Sequence, residues 1–140
     1  MTALQDRVAS ILGEILSVEV ESDGALTVRH NGTFASLRVV RIAEDLDLIS
    51  LTQVLAWDLA LTKKVRDQVA IQAREVNFGA LTLLEKGPEK GPAKGTRGAK
   101  TGDVMLRYNF PGAGLTDDAL RTLVLLVLDT GARIRGELSA

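Results

Sequence analysis

Hydrophobic residues recur at helical spacing in three parts of the chain. The first stretch, 3–17, and the second, 63–77, each carry an apolar stripe, and Thr62 is placed to cap the second. A third helix is predicted to begin after Thr116. Two ends remain open for it: Gly131 can act as a C-cap, or the helix can continue to about 135 with Gly131 permitting close packing.

Apolar and polar residues alternate between these stretches, as they do in half-buried strands. Three antiparallel strands are expected between the first two helices, following a short extended run and turn at 18–24. Asn31-Gly32 predicts a hairpin between the first two of them, and a change of phase within 46–57 predicts a bulge or bend in the third. Two more strands are expected at 78–85 and 104–110.

The predicted order of elements is α-β-β-β-α-β-β-α. With 140 residues and 46% hydrophobic content, the chain is the size of one domain with a core of its own. We therefore expect a single α+β domain over 1–140, with an antiparallel sheet packed by helices.

A decaying Lys-Gly-Pro repeat separates the last two strands. Because glycine and proline do not sustain strand pairing, a flexible basic loop is expected at about 87–101. Because this loop is positively charged and the whole chain has a net charge of −1, the rest of the chain is acidic. Three interpretations remain open: a tolerated insertion, a contact with an acidic or client protein, and a contact with nucleic-acid phosphates. The candidate electrostatic contacts are Lys86, Lys90, Lys94, Arg97 and Lys100.

Few residues in the chain suit catalysis or metal binding. The absence of cysteine excludes disulfides, thiolate metal sites and cysteine nucleophiles. The single histidine, His30, lies beside a turn and is expected to be solvated, and the carboxylates of Glu44, Asp45 and Asp47 are interpreted as a solvated turn. We expect no catalytic residues, no metal, no cofactor and no enzymatic activity.

The N-terminal residues lack the pattern of a signal peptide, and no apolar run is long enough to span a membrane. The sequence therefore leads us to expect a cytoplasmic protein without a membrane partner.

The element order, together with the Asn77-Phe78-Gly79 exit from the second helix, resembles the YbjN family and the type III secretion chaperone-like fold. The resemblance covers nearly the whole chain, although the basic repeat has no match in the family pattern. It implies a small acidic homodimer that binds a client protein and needs no cofactor. The alternative function is that of an accessory nucleic-acid-associated protein that uses 86–100 for phosphate contacts.

The resemblance also suggests a contact surface, because the second helix commonly forms the dimer in such chaperones. The other interpretation is that the valines of this helix cover the protomer's own sheet. The candidate dimer or partner residues are Val65, Val69, Gln72 and Val76.

Overall fold

The structure, a computed structural model, describes residues 3–87 and 100–139. This part of the chain forms three helices and six strands. In chain order they are α1 (Ala3–Gly13), β1 (Ser17–Val20), β2 (Leu26–His30), β3 (Thr33–Ala43), β4 (Leu46–Ala60), α2 (Lys63–Glu75), β5 (Ala80–Lys86), β6 (Thr101–Pro111) and α3 (Asp117–Ser139).

The six strands form one antiparallel sheet in the order β1-β2-β3-β4-β6-β5. The long strand β4 lies inside the sheet between β3 and β6, and β1 and β5 are its edges. This architecture confirms the predicted α+β fold. The structure has one more paired strand than predicted, because residues 17–20 pair with 26–29. These residues overlap the extended run predicted at 18–24.

The helix starts follow the predicted capping chemistry. The Thr62 hydroxyl accepts a hydrogen bond from the Val65 N–H at 3.2 Å, and the Thr116 hydroxyl accepts one from the Ala119 N–H at 3.1 Å. The first helix is shorter than predicted, since α1 ends at Gly13 and a turn precedes β1.

Gly131 lies within α3, which continues past it to Ser139. A Cβ atom at this position would overlap the side-chain amide of Gln53, which is fully buried. The Gln53 Nε2 donates hydrogen bonds to the Thr33 hydroxyl at 2.8 Å and to the Leu128 carbonyl at 3.0 Å. Gly131 therefore permits close packing of helix on sheet, as the second of the two interpretations proposes.

The helices pack on one face of the sheet and form the core with it. Strand residues on this face are almost fully buried, including Leu37, Leu51 and Leu106, each at most 1% exposed. The opposite face, which we call the open face, carries the alternate residues of the same strands. Its side chains include Phe34, which is exposed. The two faces of the sheet therefore differ strongly in their exposure to solvent.

Candidate functional site

Strand register arranges the open face in rows that cross the sheet. One row contains Phe34, Val54 and Met105, and the next contains Ser36, Thr52 and Arg107. Farther along, Arg38, Ser50 and Asn109 form a third row, and Val40, Leu48 and Pro111 form a fourth. The rows therefore divide the face into two apolar ends and a polar middle.

One apolar end is centred on Trp57, and its members define the Trp57 cluster: Phe34, Val54, Trp57, Leu84 and Met105. Trp57 is 60% exposed and Leu84 is 53% exposed. Trp57 lies where the pairing of β4 with β6 shifts register, between Ala56 and Leu59. Such irregularities change the direction of a side chain, so the sequence alternation did not assign Trp57 to this face.

The other apolar end lies on the β3–β4 hairpin, and its members define the hairpin cluster: Val40, Ile42, Leu46 and Leu48. Ile42 is 56% exposed, and Val40 is 40% exposed. The bulge or bend predicted within 46–57 is present, but it lies farther along β4, where the pairing with β6 shifts register between Val54 and Ala56. At the change of phase itself, Leu48 and Ile49 pair in unbroken register with Val40 and Val39. The change of phase instead marks the point where large apolar residues move from the open face to the covered face.

A polar middle band separates the two clusters. Its residues are Ser36, Arg38, Ser50, Thr52, Arg107 and Asn109. Antiparallel sheets commonly present polar residues to water on an uncovered face. Here only the middle of the face follows that rule, and both ends remain apolar.

Lys86 is held at the edge of the Trp57 cluster by two carboxylates. Its Nζ lies 2.9 Å from Asp58 Oδ1, 3.0 Å from Asp103 Oδ2 and 5.8 Å from the centroid of the Trp57 ring. The Asp58 N–H also donates a hydrogen bond to Asp103 Oδ1 at 3.0 Å. These contacts connect β4, β5 and β6 and orient the ammonium group beside the exposed indole.

The contact between Asp103 and Lys86 shifts the pKa of both side chains. Burial raises the pKa of Asp103, but hydrogen bonds from the Asp58 N–H and from Lys86 outweigh it and leave the pKa below its ordinary value. Hydrogen bonds to Asp58 and then Asp103 raise the pKa of Lys86. Both shifts favour the charged forms, which are the carboxylate of Asp103 and the ammonium group of Lys86.

The predicted electrostatic contacts have different positions in the structure. Lys86 is ion-paired as described above, and Lys100 is exposed, with its carbonyl accepting a hydrogen bond from the Leu61 N–H at 3.0 Å. Lys90, Lys94 and Arg97 lie outside the described residues, as does most of the predicted loop.

The candidate residues on α2 pack within the protomer. Val69 and Gln72 are 7% and 6% exposed, and Val65 and Val76 are half-buried against the core. The Gln72 Oε1 accepts a hydrogen bond from Arg133 at 3.3 Å. Val69 and Gln72 therefore offer little surface to another molecule. A dimer contact through α2 stays a prediction, and it would have to use the more exposed residues of this helix.

His30 differs from its prediction as a solvated turn residue. Its side chain is only 14% exposed, and its Nε2 lies 2.7 Å from Asp129 Oδ1 on α3. The Asp47 side chain is also mostly buried and pairs with Arg41 at 3.1 Å. Within 3–87 and 100–139, no group of three or more histidine or carboxylate residues could hold a metal ion.

A cavity of about 430 Å³ lies near the start of α1, lined by Ala3, Leu4, Arg7, Arg41, Asp47 and Ala113. Its two arginines already have carboxylate partners: Arg7 pairs with Asp117 at 2.6 Å, and Arg41 pairs with Asp47. The first ion pair connects α1 to α3, and the second connects β3 to β4. The open face is therefore the stronger candidate for a functional surface.

Comparisons with protein-family models, with curated proteins and with solved structures find no match to this chain. The likeness to YbjN and to secretion chaperones therefore stays a prediction. Among the described helices, none combines the length and the apolar character that crossing a membrane requires.

Proposed function

We propose that this protein is a non-enzymatic, homodimeric, chaperone-like protein that binds a partner protein through the open face of its sheet. One observation supports the proposal above all: six large apolar side chains on this face are each at least 39% exposed. These residues are Phe34, Val40, Ile42, Leu46, Trp57 and Leu84. Exposed apolar clusters of this kind are typical of interaction sites.

The dimensions of the face suit a macromolecular partner. Six strands spaced about 4.8 Å apart span about 24 Å, and the eight residue steps from Phe34 to Ile42 cover about 27 Å. The resulting area of up to about 650 Å² is comparable with the roughly 800 Å² that each protein contributes to a standard interface. A flat face of this size fits another protein better than a small molecule.

Charge favours a protein over a nucleic acid. Among the residues that the structure describes, the cations on or beside the open face are Arg29, Arg38, Lys86 and Arg107, and the carboxylates are Glu19, Glu21, Asp23, Asp58 and Asp103. Protein surfaces that bind nucleic acids carry an excess of positive charge, whereas these described residues do not. The alternative function, phosphate contacts through 86–100, remains a second outcome of the experiment below.

Affinity capture from extract tests the proposed function with matched variants. The Phe34→Ser, Leu84→Ser double variant changes the open face, and Leu126→Ser changes a side chain on α3 that is similarly exposed, at 41%. We expect the wild type and Leu126→Ser to enrich the same protein, and the double variant to lose it. Equal capture by all three, or nuclease-sensitive capture that depends on 87–100, contradicts a protein-binding open face.

The homodimer is a separate part of the proposal and rests on the resemblance. Molar mass measured by light scattering during size-exclusion chromatography should be twice 15.0 kDa. A mass of 15.0 kDa across the concentration range contradicts the dimer without affecting the binding of a partner.

A further inference from the structure

Arg107 lies in the polar middle band, on the inner strand β6. Its neighbours across the strands are Thr52 on β4 and Ala80 on β5. The side chain is exposed. An arginine in this position presents its guanidinium group above the middle of the open face.

The described cations around Arg107 differ from it in having carboxylate partners. Arg38 lies 2.6 Å from Asp23, Arg29 lies 4.0 Å from Glu19, and Lys86 has its two aspartates. Within 3–87 and 100–139, Arg107 has no ion pair. Among the described cations of the open face, Arg107 is therefore the one that can bind a carboxylate without displacing another.

Apolar surface lies on both sides of this cation along the strand direction. Met105 of the Trp57 cluster is two residues away on β6, or about 7 Å, and Pro111, beside Leu48 of the hairpin cluster, is four residues away, or about 14 Å. An extended segment lying along β6 would place its own residues at the same spacing.

We propose that the open face binds an extended segment of the partner protein that presents a carboxylate to Arg107 between two apolar side chains. The first apolar residue lies two positions from the acidic residue, and the second lies four positions from it in the other direction. This inference rests on the proposed function and specifies the chemistry of the partner. Arginine suits the role because its planar guanidinium group can form two parallel hydrogen bonds with a carboxylate.

A synthetic peptide provides the probe, acetyl-Ser-Val-Ser-Glu-Ser-Thr-Ser-Leu-Ser-amide, with versions that carry glutamine or lysine in place of glutamate. Trp57 is the reporter, because it is the only tryptophan of the chain and lies exposed in the Trp57 cluster. The peptides contain no aromatic residue, so a change in indole emission reports their binding to the full-length protein.

We expect the glutamate peptide to bind about fivefold more tightly than the glutamine peptide, as an exposed ion pair allows. Arg107→Glu should reverse the preference, so that the lysine peptide binds best. Arg74→Glu makes the same charge change at an exposed position of α2, and it should retain the order of peptide affinities seen with the wild type.

The contrary outcomes separate the two proposals. Equal binding of the three peptides, with binding lost in Leu84→Ser, overturns the role of Arg107 but leaves the open face as a binding surface. No change in Trp57 emission with any peptide also overturns the inference, and the capture experiment then decides the proposed function independently. If Trp57 emission responds instead to an oligothymidylate, the occupant is a nucleic acid. If it responds to protein concentration alone, the occupant is a second copy of the chain. Either result overturns the inference as well.

Discussion

The two faces of the sheet are built from the same strands, yet they have opposite relations to solvent. On β4, Leu51 is fully buried beneath the helices, whereas Leu46 near the start of the strand is 39% exposed on the open face. The centre of the covered face is mostly apolar, and the open face is apolar only at its ends. Large apolar residues therefore stabilise the fold on one face and remain available for contact on the other.

The same contrast separates the polar groups of the two faces. Gln53 on the covered face donates its side-chain hydrogen bonds within the protein, to Thr33 and Leu128. Arg107 on the open face has no ion pair within the described part of the chain. Gln53 is thus enclosed within the protein, whereas Arg107 is exposed and available to a partner.

Truncating a leucine on each face should give the largest difference in stability. Leu51→Ala removes buried side-chain atoms and leaves a cavity, so we expect a loss of about 2–5 kcal/mol in the free energy of unfolding. Leu84→Ala, at a position 53% exposed, should cost less than about 1 kcal/mol. Urea denaturation measures both, and equal losses would contradict the assignment of the faces.

Gly131→Ala tests the close packing of α3 on the covered face. The added Cβ would displace the Gln53 amide and disturb its hydrogen bonds, so we expect a loss of about 1–3 kcal/mol in stability. Gly136→Ala in the same helix is the matched control, because its added Cβ would meet nothing within 4 Å apart from its chain neighbours and the backbone of its own helix. This control should be neutral or stabilising by up to about 1 kcal/mol, since alanine is the better helix former. Similar melting temperatures for the two variants would contradict the packing described.

Asp103→Asn should produce a smaller, pH-dependent effect at the rim of the open face. The pKa of Asp103 is lowered in the fold, so its charge stabilises the protein above the unfolded pKa of about 4, and this contribution is lost as pH falls through the folded pKa. The stability difference between wild type and Asp103→Asn should therefore be present at neutral pH and shrink under acid.

Denaturation at several pH values measures this difference. Glu44→Gln removes the same charge from an exposed turn and serves as the control. A wild-type advantage over Asp103→Asn that grows as the pH falls would contradict the assigned direction.

Much of the fold could be predicted because its signals are local. Thr62 and Thr116 cap their helices through backbone groups three residues away, and the Asn31-Gly32 turn fixes the β2–β3 hairpin. The paired strand β1 was not predicted, because its four residues carry too short a pattern.

The open face was harder to predict because its contacts join distant residues. Lys86, for example, reaches Asp58 across 28 positions. The change of phase between Leu48 and Ile49 was a local signal of apolar residues on both faces, and it was interpreted as a bulge or bend. A phase change without a break in pairing indicates instead that each face has its own apolar surface.

Photo-crosslinking in cells tests most directly the claim that the open face binds a partner protein. A benzoyl-phenylalanine in place of Leu84 samples the open face, and the same group in place of Leu126 samples the helix layer at comparable exposure. The account predicts a discrete protein adduct from position 84 that position 126 does not form. Adducts of equal yield at both positions, or an adduct from position 126 alone, would contradict it.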